Sequence, residues 1–281
     1  MKRLRIEHAT GFTYPGDVAA SYNEARMLPS STDSQFVLSS QLDIEPSTSV
    51  NHYVDYFGTR VAAFDVLASH ASLRITARSL VEVRPRPIER TGMSWNRLTR
   101  ESERSIHIVE QLAQTPRTEP PAEVVDIARA IAAEHDDPGS AALAISTAIG
   151  DAVEYVQGVT GVQSTAKEAW AARKGVCQDV THVTLGALRA VGIPARYVSG
   201  YLHPRPEAEV GVAVAGESHA WVEWFAGGWQ GFDPTNTIEI GDRHVLVGRG
   251  RDYNDVPPLR GVYAGTFKSD LHVKVTITRE A

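Results

Sequence analysis

Hydrophobic and polar residues alternate along the first third of the chain. Leu4, Ile6 and His8 alternate with charged residues, and the same two-residue period recurs over 73–77 and 81–83. Because successive side chains of a strand point to opposite faces, this period is typical of strands with one buried face. A turn is expected at Pro15–Gly16, and the short spacing of these segments favours an antiparallel β-sandwich or barrel. Further strands are predicted over 18–28, 35–45, 50–57, 60–67 and 72–84.

The hydrophobic period becomes helical after a proline-rich connector at 85–121, in which a short helical piece is predicted near 103–114. Apolar residues then recur three and four positions apart, as they do on one face of a helix. Proline at a first helical position and the capping-box spacing of Thr165 and Glu168 mark helix starts. The predicted helices are Ala122–His135, Pro138 to about Val153, Thr165 to about Gly175, and Cys177 to about Val191.

Strand-like segments return in the last third of the chain. They lie over 195–202, 218–225, 229–234, 244–247 and 271–278, and a mobile loop is predicted at 203–216. Strands and helices that are segregated along the chain indicate an α+β protein. We therefore predict two domains: a β-rich, sandwich-like N-terminal domain with its connector at 1–115, and a domain of helices and antiparallel sheet at 116–281.

The charge distribution argues against nucleic acid as a partner. The 281 residues carry a formal net charge of −6, without the basic stripe of a nucleic-acid binder. One group of arginines is interleaved with glutamates, which indicates a solvated surface of mixed charge. The group comprises Arg84, Arg86, Arg90, Arg97, Arg100 and Arg104, with Glu82, Glu89, Glu101 and Glu103. The first residues lack the apolar stretch of a signal peptide, and no apolar run reaches the roughly 20 residues that span a bilayer. We therefore expect a cytoplasmic protein that binds no membrane.

Cys177 is the single cysteine of the chain, which excludes an intramolecular disulfide. It stands two residues after Gly175, at the predicted start of a helix. Unpaired backbone N–H groups and the helix dipole favour negative charge at that position, so a thiol there is biased toward the reactive thiolate. The alternative is a buried structural cysteine.

A nucleophilic cysteine needs a base, and the base needs an orienting group. His182 and Asp179 lie about 140° and about 200° around the helix from Cys177, so we expect them to tie the helix to the sheet. His219 lies on a predicted hairpin. With a three-residue turn at 226–228, Asp233 lies diagonally from His219 on the same face; a two-residue turn puts it on the opposite face. A Cys–His–Asp triad therefore depends on this register.

Other histidines and aromatic residues are assigned structural roles. His8, His52 and His70 are dispersed and are predicted to be structural or surface residues. A metal site made of Cys177, His219 and Asp233 is disfavoured, because the chain has no further cysteine and no paired-ligand spacing. We expect no metal and no cofactor. The bulky aromatics of the hairpin region are predicted to be core rather than cleft walls; these are Tyr201, Trp221, Trp224 and Trp229.

Three ordered motifs resemble those of the transglutaminase-like superfamily. Gly175–Asp179 followed by His182 resembles the nucleophile motif, Ser218–Glu223 the histidine motif, and Phe232–Asn236 the aspartate motif. The segments 188–201 and 250–258 also fit. The N-terminal β-rich part resembles the bacterial transglutaminase-like N-terminal domain, so the resemblance covers essentially the whole chain.

This resemblance implies Cys177 as nucleophile, His219 as general base and acid, and Asp233 as the group that orients His219. It implies a papain-like core, in which the cysteine helix of a helix bundle packs on an antiparallel sheet. The implied activity is acyl transfer on a peptide or amide substrate through a thioester, with hydrolysis by a protease or amidase favoured. A transglutaminase with an amine acceptor and a non-catalytic peptide-binding module are the alternatives. The Cys177 N–H is the expected oxyanion donor, with a second expected within Tyr155–Trp170.

Overall fold

The computed structural model describes residues 1–89, 91–266 and 268–281, so that Arg90 of the predicted mixed-charge surface lies outside the described residues. The N-terminal third consists of strands, as predicted. They are β1 (Lys2–Val18), β2 (Ser21–Ala25), β3 (Gln35–Glu45), β4 (Val50–Val54), β5 (Arg60–Val66) and β6 (His70–Val83).

The turn predicted at Pro15–Gly16 is wrong, because β1 continues through it to Val18. β1 pairs with β6 up to Thr13, and the pairing resumes at Val18 after a register shift. Proline lacks a backbone N–H and is tolerated where a ladder is interrupted. The Pro–Gly pair therefore marks an irregularity within a strand.

Six α-helices follow in the described part of the chain: α1 (Trp95–Glu103), α2 (Ile106–Val109), α3 (Ala122–Ala133), α4 (Pro138–Ala152), α5 (Ala166–Ala172) and α6 (Cys177–Ala190). The Thr165–Glu168 capping box is present, and Asp137 caps α4 by accepting the N–H of Ser140 at 2.8 Å. The piece predicted near 103–114 is present as α2 and a 3₁₀ turn at Glu110–Leu112, and α1, which was not predicted, precedes it. The Ser94 side chain accepts the N–H of Arg97 and starts α1.

The later strands are β7 (Glu154–Tyr155), β8 (Lys174–Gly175), β9 (Ala195–Leu202), β10 (Ala213–Phe225), β11 (Trp229–Asp233), β12 (Ile238–Glu239), β13 (His244–Gly250), β14 (Leu259–Tyr263) and β15 (Asp270–Arg279). The mobile loop predicted to extend to residue 216 ends at 212, since β10 begins at Ala213. Its first four residues pair with 275–278 of β15, more than fifty positions away. That pairing is invisible to local sequence patterns.

Two antiparallel sheets form most of the fold. One runs β12-β11-β10-β15-β1-β6-β3, with β9 pairing to β10 and β13; the other runs β14-β2-β5-β4. A hydrophobic cluster fills the space between them, with Phe64 of β5 and Ile75 of β6 among its buried members. β15 lies between β1 and β10 and so joins the N-terminal strands to the later ones. The division into domains at 115/116 stays a prediction.

The main core surrounds α6, which is buried along nearly its whole length. Val183 and Leu188 on this helix belong to the same cluster as Val222 and Trp224 on β10. Helices α3, α4 and α5 pack around α6 from the other side. The molecule is thus an α+β fold, as predicted, in which the cysteine helix packs on an antiparallel sheet. No helix of the described ranges is both long and apolar enough to cross a membrane.

Candidate active site

Cys177 is the first residue of α6, as predicted, and it is partly exposed. Asp179 fixes the start of this helix: its Oδ2 accepts the N–H of Val176 at 2.8 Å and the hydroxyl of Thr160 at 2.6 Å. A Cβ on Gly175 would lie 2.7 Å from the Asp179 Cβ, so a glycine is needed there. Asp179 therefore ties the helix start to the loop at Thr160, whereas a tie to the sheet was expected.

His182 is fully buried and lies away from the cysteine. Its Nε2 accepts the backbone N–H of Tyr253 at 3.2 Å, and its ring packs on Tyr197 of β9 with centroids 5.3 Å apart. Burial lowers the pKa of His182 to about 3, so the ring is neutral. It ties α6 to the sheet and to the 3₁₀ turn at Tyr253–Asp255, in agreement with the expectation for this residue.

The hairpin of β10 and β11 has the register that a triad requires. Phe225 pairs with Trp229, so the connecting turn contains three residues, 226–228. Asp233 consequently lies diagonally across from His219. The His219 Nε2 donates to the Asp233 Oδ2 at 2.7 Å.

Cys177 completes the group: it lines the same cleft as His219, and its thiol helps to raise the pKa of His219. Since Nε2 of His219 is bonded to Asp233, Nδ1 is the ring nitrogen that remains for the thiol. Burial disfavours the imidazolium, but the hydrogen bonds and charges of Asp233 and Cys177 outweigh it and raise the pKa of His219 to about 10. The three predicted residues thus meet at one point, where a protonated imidazole faces the thiol.

Asp233 is completely buried and held by several donors. Its Oδ1 accepts the backbone N–H groups of Thr235 at 3.0 Å and Asn236 at 3.2 Å, while its Oδ2 also accepts the Asn236 side-chain amide at 2.8 Å. Burial alone would raise the pKa of Asp233, yet the hydrogen bonds from His219 and His244 hold it well below its usual range. The carboxylate is therefore ionised and fixed in orientation.

His244 belongs to this network, although the sequence analysis assigned it no role. The Gly241 N–H donates to its Nδ1 at 3.2 Å, so the proton of the neutral ring is on Nε2, which lies 3.3 Å from the Asp233 Oδ2. Burial lowers the pKa of His244 and keeps it neutral. Trp221 packs edge-on against it, with centroids 5.4 Å apart. No local signal marks His244, since β13 reaches the site only through its pairing with β9.

Asn236 could have been recognised from the sequence. The backbone N–H groups two and three residues after an aspartate commonly bond to its side chain, and Asp–Pro–Thr–Asn has this spacing. Its side-chain nitrogen also lies 3.4 Å from the His219 Nε2. It thus lies against the His219–Asp233 contact.

Three of these residues also have the spacing of metal ligands. Ligand atoms of His219, Asp233 and His244 lie within 4.8 Å of one another. However, the Asp233 Oδ2 already accepts hydrogen bonds, and the His244 Nδ1 accepts the Gly241 N–H. The donor set fits a hydrogen-bonded network, and we assign it no metal.

Two clefts flank the imidazole. One, of about 540 Å³, is lined by Cys177, His219 and the segment 215–220; the other, of about 420 Å³, is lined by His219, Asn236 and Arg243. Tyr155, Gln157 and Glu217 each line both clefts: the Tyr155 hydroxyl and the Gln157 amide donate to the Glu217 carboxylate at 3.0 and 2.6 Å. Tyr155 and Gln157 belong to the segment Tyr155–Trp170, in which a second oxyanion donor is expected. Their bonds to Glu217 place the start of that segment beside the site.

Three of the four bulky aromatics are buried, as predicted, and Trp229 is not. Trp221, Trp224 and Tyr201 are each at most 3% exposed. Trp229 is partly exposed and carries the Arg196 guanidinium on its ring, 3.8 Å from the centroid. None of the four lines either cleft among the residues that the structure describes.

A helix that starts with a cysteine, packed on an antiparallel sheet that carries a histidine and an aspartate, defines a papain-like α+β fold. Two segments of the chain match known families. Residues 4–82 match the bacterial transglutaminase-like N-terminal region, and residues 125–234 match the transglutaminase-like superfamily. The chain belongs to the transglutaminase-like superfamily.

Relatives extend over the whole chain. An uncharacterized protein of Mycobacterium leprae is 41% identical over 283 residues, covering 100% of both chains. A candidate cysteine protease from Cytophaga hutchinsonii has a similar structure, with a TM-score of 0.73 at 20% identity, covering 99% of this chain and 98% of that one. A shorter match, 35% identical over 99 residues, covers 31% of this chain and 15% of a protein-glutamine gamma-glutamyltransferase of Pseudomonas aeruginosa.

Proposed function

We propose that this protein is a cysteine-dependent hydrolase that cleaves an amide or peptide bond through a thioester on Cys177. The observation that carries the proposal is the 2.7 Å hydrogen bond between His219 and the buried Asp233, with Cys177 beside His219 in an open cleft. Nucleophile, base and orienting group in hydrogen-bond reach are the requirement for covalent catalysis by a thiol.

In the first half-reaction the Cys177 sulfur attacks the carbonyl carbon of the substrate. A protonated imidazole beside the sulfur stabilises the thiolate, and with a pKa of about 10 His219 carries that proton at neutral pH. The N–H of Cys177, in the first turn of α6, has no carbonyl partner within the helix and donates a hydrogen bond to the developing oxyanion. His219 then gives its proton to the leaving nitrogen, the C–N bond breaks, and the acyl group remains on sulfur.

In the second half-reaction water resolves the thioester. Neutral His219 takes a proton from the water as it attacks the acyl carbon, the C–S bond breaks, and the carboxylic acid and the thiolate–imidazolium pair are formed. Asp233 keeps the imidazole in one orientation throughout, because it is itself held by Thr235, Asn236 and His244.

An amine in place of water would make the protein a transglutaminase. The match to a protein-glutamine gamma-glutamyltransferase over 99 residues favours this second candidate. The two reactions share the thioester and differ only in the acceptor. Glutamine-containing peptides incubated with and without a primary amine separate the two reactions. Peptide fragments, or ammonia with conversion of glutamine to glutamate, indicate hydrolysis; ammonia with a peptide that has gained the mass of the amine less that of ammonia indicates transfer.

Alkylation of Cys177 tests the proposal before any substrate is known. Wild type should react with iodoacetamide at neutral pH about tenfold or more faster than His219→Ala, as followed by mass spectrometry of the intact protein. His52→Ala is the matched control, because His52 is exposed on β4 and should react like wild type. Equally slow labelling of wild type and His219→Ala would contradict the proposal. The protein would then be interpreted as a non-catalytic peptide-binding module.

A further inference from the structure

The edge of β15 becomes free where β10 leaves it. Gly216 of β10 is the last residue that pairs with β15, opposite Val275. From Glu217 onward β10 pairs instead with β9. β15 continues as Asp270–Lys274 with β1 on one side only; on its other side no strand of the described chain pairs with it.

This free segment is exposed and partly apolar. Leu271 and Val273 are 57% and 56% exposed, and they share a face because they are two residues apart. The next residue on that face, Val275, is covered where β10 begins to pair, and is 5% exposed. The exposure therefore begins at the point where the neighbouring strand is lost.

The same segment borders the cleft that contains the candidate nucleophile. Val273 and Lys274 line this cleft together with Cys177, His219 and the segment 215–220 of β10. The free edge of a sheet thus opens directly onto the thiol.

We propose that the peptide substrate binds in an extended conformation as an added strand along residues 270–274 of β15, in the place that β10 vacates. This inference rests on the proposed function and assigns its substrate class: a segment of polypeptide rather than a small amide. An unpaired edge offers backbone N–H and C=O groups that a peptide satisfies, and side-chain contacts on alternate residues add preference. Leu271 and Val273 favour apolar side chains at alternate positions of the substrate.

The test uses peptides that carry their own reactive group, so that no natural substrate is needed. Two peptides of about seven valine, threonine and glutamine residues carry a bromoacetyl group at the N-terminus or a chloromethyl ketone at the C-terminus. Their rates of Cys177 alkylation are divided by those of the same reactive groups on a single amino acid. We expect at least one peptide to react about tenfold faster than its small counterpart.

Val273→Lys should lower this ratio by about fivefold, because a charged side chain replaces the apolar contact that the added strand would make. Val54→Lys is the matched control, because Val54 is 65% exposed on the edge strand β4 and lies outside the cleft. Its ratio should equal that of wild type.

Backbone N-methylation of the faster peptide, one residue at a time, provides the second measurement. Methylation should slow alkylation at every second residue and not at those between, because only alternate N–H groups of a strand face its neighbour. Ratios near one for both peptides, or equal effects at consecutive residues, would overturn strand addition. A failure of the proposed function is distinct, since it appears as slow labelling by iodoacetamide itself.

Discussion

Asp233 shows how a buried carboxylate can govern a site at the scale of single residues. It accepts two hydrogen bonds at Oδ1 and three at Oδ2, with none of its side chain exposed. Its charge opposes the effect of burial on His219, whose pKa is therefore raised rather than lowered. Together with Cys177, Asp233 therefore keeps the imidazole protonated.

Asp233→Asn should therefore lower the pKa of His219 and move the alkaline limb of Cys177 alkylation to lower pH. At pH 8 we expect the alkylation rate to fall by about tenfold or more, because less imidazolium remains to stabilise the thiolate. The measurement is the pH–rate profile with iodoacetamide from pH 5 to 10. An unchanged profile would show that Asp233 does not set the charge of His219.

The raised pKa of His219 also makes the stability of the folded protein depend on pH. The pKa of His219 is raised from 6.5 to about 10 on folding, so its contribution to stability is fully present below pH 6.5 and is lost as pH rises through about 10. In Asp233→Asn the pKa of His219 is lower, so its contribution to stability should be lost at lower pH. Thermal unfolding midpoints across this range measure it.

His244→Ala should lower the rate of Cys177 alkylation severalfold, because Asp233 loses one donor and His219 is less firmly oriented. His244→Gln restores a side-chain donor and should recover part of the rate. Peptide KM should stay unchanged in both variants, since His244 is buried behind Asp233 and lines neither described cleft. A loss of folding in His244→Ala without recovery in His244→Gln would indicate a purely structural role.

Much of the site was predictable at this scale, and the reason lies in local geometry. A glycine before Cys177 and the helical period after it fix the thiol at a helix start. The two-residue period puts Asp233 on the face of His219 if the turn has three residues; the sequence left that length open, and the pairing of Phe225 with Trp229 settles it. His244 was missed because its position follows from strand pairing between β9 and β13, which no spacing in the sequence encodes.

At the scale of elements, β9, β10 and β13 approach each other closely at Gly200. A Cβ at this position would lie 2.1 Å from the Val245 carbonyl oxygen and 2.6 Å from the Trp221 ring. The absence of a side chain lets Trp221 lie across β9 and contact His244 edge-on. One glycine therefore sets how the sheet packs beneath the site.

Gly200→Ala should consequently destabilise the protein by about 1–3 kcal/mol through overpacking. It should also slow Cys177 alkylation, because Trp221 can relieve the contact only by moving against His219 and His244. Denaturant unfolding and iodoacetamide labelling measure the two effects. Gly161→Ala is the control, since its Cβ would have no neighbour within 4 Å; equal behaviour of the two variants would contradict the packing argument.

The face of β10 that carries His219 and Trp221 continues beyond the site. Glu223 follows Trp221 on that face and is buried between two arginines. The Nε atoms of Arg196 and Arg249 each donate to its Oε2 at 2.8 Å. Burial would raise the pKa of Glu223, but both guanidinium groups lower it far below its usual range. The two-residue period of a strand puts Glu223 on this face. Its arginine partners lie on the neighbouring strands β9 and β13.

At the scale of the whole molecule, β15 connects the N-terminal strands to the later strands of the large sheet. Val275 pairs with His8 of β1 on one side and with Gly216 of β10 on the other. β14 likewise pairs with β2. The strands of residues 1–83 therefore form sheets that are complete only with residues 259–279. Local periodicity predicted each strand, but not that partners more than 190 residues apart would pair.

A fragment of residues 1–115 should accordingly fail to fold on its own, because β1 and β2 each lose a neighbouring strand. The intact chain should unfold in a single cooperative transition. Circular dichroism of the fragment and denaturant unfolding of the intact protein followed by two probes test this. A fragment with a cooperative transition of its own would support the predicted boundary as an independent folding unit.

The position of β15 also imposes an order on biosynthesis. A growing chain leaves the ribosome from its N-terminus. β1 and β10 therefore cannot be joined in one sheet until residues 270–279, which form the strand between them, have been made. Cys177, His219 and Asp233 have by then all been made. The cleft, however, acquires its wall at Val273 and Lys274 only at that late stage, so the nascent chain carries Cys177 before this cleft is complete.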